Sequence, residues 1–242
     1  MDRDMCKARV YIEPAQINDN ISLGDKDIIH KLKDVLRLKK GERVLIFDGA
    51  GKEYSYTIAN LDKKKALFNK CKVLMDEKPP NKKVILGFPV ARESKINFIL
   101  QKGTELGVYE FIPFLCQRSL SAKPSQKKIQ RWSKIVIEAT RQSQRLWVPR
   151  VNSILDFAEI AVLKYKTKLA ASIAGKSIPE KISEGYNEIL FVVGPEGDFS
   201  PEEYSDLKKN GFNFISLSSN ILRVETAAIF GSGLLKYFLD GR

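Results

Sequence analysis

A chain of 242 residues is long enough for one large domain or two ordinary ones, and 43% hydrophobic with 29% charged residues is an ordinary globular balance. No apolar run approaches the roughly 20 residues needed to cross a bilayer, and the start at Met1-Asp2-Arg3-Asp4 has no secretory pattern. Three cysteines without pair spacing (Cys6, Cys71, Cys116) and a single histidine argue against a disulfide framework or a metal centre and for a reducing cytoplasm, while a net charge of +12 points to a polyanionic partner.

In chain order, the first 75 or so residues read as mostly β. Ala8 to Ile12 is a predicted strand. Arg43 to Phe47, the turn Asp48-Gly49-Ala50-Gly51 and Glu53 to Ile58 form a predicted hairpin, because glycine supplies the positive φ a tight turn needs. Ala66 to Leu74 is another strand. Between them, Ile28, Ile29, Leu32, Val35 and Leu36 recur at helical spacing and predict a helix over Asp25 to Leu38. A small barrel with one helix fits.

Glu77-Lys78-Pro79-Pro80-Asn81 is the best linker, since two prolines stiffen the chain and donate no ladder hydrogen bonds. Beyond it, strands and helices alternate: strand Val84 to Val90, helix Ser94 to Leu106, strand Val108 to Phe114, helix Lys127 to Arg145. Strands Lys168 to Ile173 and Glu188 to Val193 follow, then helix Ser200 to Lys209, strand Phe212 to Leu217 and a last helix from Val224 to about Leu239. That alternation predicts a mostly parallel sheet with helices on both faces. Between Gln117 and Arg150 stand nine Lys or Arg against one acid, Glu138, so this stretch holds two-thirds of the net charge. One-sided charge beside Trp132 and Trp147 is closer to an RNA-facing surface than to an ordinary solvated face.

Four motifs stand out. Phe191 to Glu203 runs from a buried strand through Gly194-Pro195-Glu196-Gly197-Asp198 to a helix start, where Ser200, Pro201 and Glu203 make a cap. The glycines let backbone amides approach a ligand. Glu196 and Asp198 disfavour a phosphate, and the Lys-Ser/Thr of a P-loop is missing, so an adenosine or a sulfonium is the better guest. Phe214 to Ala228 again runs strand, polar loop, helix, with Arg223 and Glu225 at the helix entry; two such loops suggest one crevice outside the strand ends. Arg92-Glu93-Ser94-Lys95 ends a strand, and Gln101 to Val108 is a helix end, a glycine and the next strand. Glu138, Gln142 and Arg145 share a helix face by i, i+4 and i+7 spacing. Gly231-Ser232-Gly233, inside the last apolar helix, reads as close helix packing and not as a nucleotide loop.

Taken together these residues resemble the SPOUT superfamily, and within it the ribosomal RNA small-subunit methyltransferase E family. The resemblance runs nearly end to end. It takes in Arg9-Val10-Tyr11, His30 with Val35-Leu36-Arg37, Lys102 with Thr104 to Val108, Arg118-Ser119, Gln142-Ser143 with Arg145 and Pro149, Gly194 to Gly197 with Phe199-Ser200, and Ile221-Leu222-Arg223 with Glu225-Thr226-Ala227. It implies a PUA-like β-barrel domain over 1–76, and over 77–242 an α/β SPOUT methyltransferase domain with a parallel sheet and a trefoil knot. It also implies a homodimer that uses S-adenosyl-L-methionine (SAM) and no metal, and methylates N3 of a specific uridine in small-subunit ribosomal RNA. The sequence departs from the family pattern at Asp198, Gln144 and Ser218, each where a glycine is usual, and at Arg92, which keeps the charge of a usual lysine.

On this resemblance, Gly194, Glu196, Gly197, Leu217, Ser218, Ile221, Leu222, Arg223 and Thr226 are expected to bind the cofactor. Arg145 and Arg92 are expected to stabilise a uridine anion, with Glu138 as base. Arg9, His30, Arg37, Lys102 and Arg118 are expected to grip RNA. The rival readings are a non-catalytic RNA-binding module and a SPOUT enzyme acting on transfer RNA; a P-loop NTPase is disfavoured by its missing motif.

Overall fold

The computed structural model describes residues 6–119, 124–177 and 187–241. Lys123 of the basic stretch and the Met1 to Asp4 start lie outside the described residues. The chain forms two compact units, residues 1–79 with 140–148, and residues 80–139 with 149–242.

The first unit holds β1 (Arg9–Tyr11), β2 (Asn20–Leu23), α1 (Lys26–His30), β3 (Arg43–Phe47), β4 (Lys52–Leu61) and β5 (Ala66–Asp76). They make one five-stranded sheet in the order β1-β3-β4-β5-β2. All neighbours are antiparallel except β1 and β3. Between β3 and β4, Gly49 and Gly51 take φ of 70° and 105°, and the Asp48 carboxylate accepts from the amides of Ala50 (2.8 Å) and Lys52 (3.0 Å). Leu32, Val44, Ile46, Tyr56, Ile58 and Phe68 fill the core. Each such side chain contributes about 1.5–3 kcal/mol by leaving water. The predicted long helix is shorter and less regular than its spacing suggests. Asp25 caps α1 by accepting from the amides of Asp27 and Ile28, and a π-helical turn over Lys31–Val35 follows. Arg37, at φ 52°, then ends it.

The second unit holds β6 (Lys83–Pro89), α2 (Glu93–Glu105), β7 (Glu110–Leu115), α3 (Gln126–Gln142), β8 (Arg150–Val151), β9 (Leu155–Asp156), α4 (Phe157–Ala161), β10 (Thr167–Ser177), β11 (Glu188–Val192), α5 (Pro201–Lys209), β12 (Asn213–Ser216) and α6 (Val224–Asp240), with the last turn of α3 counted in the first unit. The sheet order is β12-β10-β11-β6-β7-β8, with β9 also on β7, and every pair is parallel. Ile85, Ile112, Leu190 and Phe199 anchor its core, where the Phe114 and Phe199 rings stack with centroids 6.4 Å apart. Gly231 lets α6 lie on the sheet, because a Cβ there would stand 2.5 Å from the Phe191 ring. The close-packing reading of Gly231-Ser232-Gly233 holds. Among the described residues no helix is long and apolar enough to cross a membrane.

Two expectations about the basic helix are corrected. α3 ends at Gln142, so Arg145 stands beyond the helix and shares no helical face with Glu138. Trp132 is 1% exposed and belongs to the core, so it offers no ring to RNA.

Candidate functional site

Parallel strands end together, so the loops that leave them converge on one side of the sheet. In the second unit the loops after β11 and β12 meet Ala171–Ile173 of β10, just past the stretch Thr167–Ala170 that pairs with β11, around a cavity of about 690 Å³. Gly194, Glu196, Gly197 and Asp198 form one wall, Leu217, Ser218, Ile221, Leu222 and Arg223 another, and Ala171, Ser172 and Ile173 the third. Strand β10 lies between β11 and β12, which is why its middle reaches the same space.

The Gly194 to Asp198 loop is held at both sides. A Cβ on Gly194 would come within 2.8 Å of the Asp198 carboxylate, and one on Gly197 within 3.2 Å of the Arg118 side chain. Arg118 itself donates to the Gly197 carbonyl. Asp198, at φ 59°, accepts from its neighbour Phe199 N–H (2.8 Å) and from the Tyr204 hydroxyl (2.7 Å). Burial, first, pushes the Tyr204 phenol up to about 12, so it remains a donor at neutral pH. Ser200 and Glu203 close the capping box that starts α5 where the loop ends, and the buried Glu203 carboxylate also accepts from the Gln117 amide at 2.8 Å.

Lys95, on the first turns of α2, reaches into the cavity wall and links the Gly194 to Asp198 loop to the first turn of α6. Its ammonium lies 2.5 Å from Glu196 and 3.4 Å from Glu225. The hydrogen bond to Glu196 raises the Lys95 pKa, and the same bond holds Glu196 below the usual carboxylate range. Arg92, the exposed N-cap of α2, is near enough to add to that lowering. The lining thus mixes carboxylates, an ammonium and a guanidinium with apolar surface, as a charged and partly apolar guest requires.

Eight of the nine residues expected to bind the cofactor line this cavity; the ninth, Thr226, is exposed on the first turn of α6 and does not. Residue patterns missed Lys95 and the Ala171–Ile173 edge. Their signal was present but incomplete: the strand was recognised, yet only the sheet order shows that this part of it adjoins the other two. Glu138 is exposed on α3. Arg145 is half-buried, and desolvation lowers its pKa to about 10, which leaves it cationic at neutral pH.

Of the residues expected to grip RNA, His30 and Arg37 are exposed, with His30 2.8 Å from Asp34. Lys102 pairs with Glu105 at 2.9 Å on its own helix, and Arg118 holds the Gly197 carbonyl. Arg9 is corrected outright. It is 9% exposed, bound to the fully buried Glu53 at 2.6 Å, and stacked 3.9 Å over the Phe47 ring. A guanidinium so enclosed presents no face to a phosphate.

Comparison with known proteins bears on this arrangement. The family model described as RNA methyltransferase domain matches residues 77–236, and that described as RNA methyltransferase PUA domain matches residues 18–71. A Synechocystis protein named Ribosomal RNA small subunit methyltransferase E is 32% identical over 90% of this chain and 74% of its own length. One of the same name from Rickettsia conorii is 32% identical over 91% of each. The crystal structure of a Ribosomal RNA small subunit methyltransferase E from Neisseria gonorrhoeae bound to S-adenosyl methionine matches with a TM-score of 0.82 at 29% identity, over 94% of this chain and 96% of that one.

Proposed function

The chain belongs to the ribosomal RNA small subunit methyltransferase E family, and on that premise we infer that it is an enzyme that transfers a methyl group from SAM to small-subunit ribosomal RNA, at ring nitrogen N3 of one uridine. The observation that carries this reading is the cavity built by both signature loops at the ends of β11 and β12, beside the parallel strand β10 that lies between them. SAM fits the residues present. The volume of about 690 Å³ is that of a small-molecule pocket. Glu196 and Asp198 suit cationic groups, Lys95 and Arg223 suit a carboxylate, and Leu217, Ile221 and Leu222 suit an adenine face.

When bound, SAM supplies an electrophilic methyl group on a sulfonium. The chain's own residues do the rest. Uridine N3 carries a proton and is a poor nucleophile until that proton leaves. A cation beside the ring favours the anion, and this role falls to Arg145, whose partial desolvation strengthens its pull on charge. Arg92 is the second cation and Glu138 the base in the same reading. Alignment of the reacting atoms supplies much of the rate.

The finer parts of the reading are a homodimer with a knotted second domain, acting in the cytoplasm on the small ribosomal subunit. Large apolar side chains left exposed on α2 (Phe98) and α6 (Phe230, Tyr237) support a partner copy there. Calorimetry with SAM, light scattering, and nucleoside mass spectrometry of ribosomal RNA from cells with and without the protein test the proposal. The expected result is SAM binding by a dimer and one N3-methyluridine lost with the protein. An unchanged nucleoside profile, or no heat with SAM, would sink it.

A further inference from the structure

A helix leaves its last carbonyls without intrahelical partners. At the end of α3 they are met in two ways. The Arg145 amide donates back to the Thr140 carbonyl at 3.1 Å, across Gln144 in the left-handed region at φ 58°. That is the six-to-one closure of a Schellman turn. The second partner is Arg9, distant in sequence but in the same compact unit. Its guanidinium donates to the carbonyls of Thr140 (3.0 Å), Arg141 (3.1 Å) and Arg145 (2.7 Å). One cation therefore holds both ends of the turn that carries Arg145, at the negative end of a helix where a cation is favoured.

Arg9 is itself fixed. Its Nε donates to Glu53 at 2.6 Å, Glu53 is fully buried, and the Phe47 ring lies under the guanidinium plane. A planar fork with five donors can serve one carboxylate and three carbonyls at once, which an ammonium cannot. A buried ion pair is weak evidence for stability, because desolvation offsets most of the attraction. What it does supply is direction: β1 and β4, the strands of Arg9 and Glu53, dictate where the 140–145 backbone lies.

We propose that Arg9 is a positioning residue for methyl transfer, whose guanidinium, seated on Glu53 and Phe47, sets the backbone of the turn that presents Arg145 to the substrate. The proposal rests on the reading of Arg145 as the cation beside the uridine. It gives the barrel-like N-terminal domain a part in the chemistry, separate from any grip on RNA. A cation held this way does not have to find its orientation when substrate arrives, and a displacement near 1 Å in such a group lowers rate by about 100-fold in well-studied cases.

The test is a double-mutant cycle on the full-length protein with Arg9→Lys and Arg145→Ala. Single-turnover methylation is read at saturating RNA and SAM, per SAM-binding molecule counted by calorimetry. Arg9→Lys keeps charge but loses the fork, and is expected to slow the saturated rate by about 10-fold or more while SAM and RNA affinities change by less than about threefold. In the Arg145→Ala background the same change should slow the rate no further than about twofold, because the two residues act in series. Glu53→Gln, which keeps shape and loosens the seat of Arg9, should give a smaller loss that likewise vanishes without Arg145. Losses that multiply in the double variant overturn the proposal. So does an RNA affinity that weakens while the saturated rate survives, or a deficit that appears solely as fewer SAM-binding molecules. A normal saturated rate for Arg145→Ala alone overturns the premise, and with it the proposal.

Discussion

Arg37, Gln144 and Asp198 are the residues other than glycine that hold a positive φ among the described residues, at 52°, 58° and 59°. Two of them stand where the resembled family has glycine. At Gln144 and Asp198 the family glycine answers a backbone need; at Ser218, the third departure, no positive φ is present, so a side chain costs no strain there. The departures were legible in the sequence, but their meaning was not, because φ is a property of the turn and not of the residue alone. The two strained sites should respond differently to restoration of glycine. Gln144 lies in the turn after α3 and pays the left-handed penalty of roughly 1–2 kcal/mol for a side chain, less the entropy glycine loses on folding. Gln144→Gly is therefore expected to stabilise by about 0.5–1 kcal/mol, a rise of roughly 1–4 °C in Tm. Asp tolerates the left-handed region better. Asp198→Gly would also forfeit the hydrogen bonds from Phe199 and Tyr204, so it should leave Tm unchanged or lower it. Thermal unfolding of the two variants decides: equal gains would show that the Asp198 carboxylate contributes nothing to its loop.

Elements with strong periodicity and clear ends were the readable ones. Strand Arg43–Phe47 and the start of α6 at Val224 fall where apolar runs and turn residues place them. The end of α3 was not readable, because its stop is Gln144 in a glycine's conformation and nothing in Gln142-Ser143-Gln144-Arg145 signals a break. Short elements such as β8, β9 and α4 carry too few residues for a period and form through pairing with β7 and packing below it. α6 shows what an element can transmit to the site. A methyl at Gly231 would press on Phe191 Cζ at 2.5 Å and on Leu217 Cδ1 at 3.2 Å, and Leu217 lines the cavity. At Gly233 the nearest atom is the end of the Leu106 side chain at 3.3 Å, which can yield. Gly231→Ala is expected to cost about 1–3 kcal/mol through overpacking and to weaken SAM binding as well, whereas Gly233→Ala should do little of either. Melting curves with calorimetric titration of SAM check this. Equal effects at the two positions would mean that α6 shifts as a body and does not press on the pocket.

At the scale of the whole molecule, charge is visible in the sequence while its availability is not. The stretch from Gln117 to Arg150 holds nine cations against Glu138. Pairing removes several of them from the count: Arg131 lies 2.7 Å from Glu93, Lys128 4.0 Å from it, Arg118 holds the Gly197 carbonyl, and Arg145 is half-buried. Trp132 turns inward between them, which leaves Lys127 and Lys134 exposed on the opposite side of α3. Which loops of a parallel sheet meet, and that 140–148 belongs to the first compact unit, are long-range outcomes that no local pattern records. Each neutralised phosphate contributes about 0.7–0.9 to the slope of log affinity on log salt, through counterion release. If the exposed cations of α3 and of the N-terminal unit engage some four to six phosphates, the slope should be roughly −3 to −5, well short of what the full net charge of +12 suggests. Lys134→Ala and Lys127→Ala should each flatten it by about 0.7–0.9 and leave SAM affinity unchanged. Filter binding of a small-subunit RNA fragment between about 50 and 200 mM salt measures this. A slope near zero would remove α3 from the RNA interface, and a slope of about −8 or steeper would mean that the paired arginines leave Glu93 and Gly197 to reach phosphate.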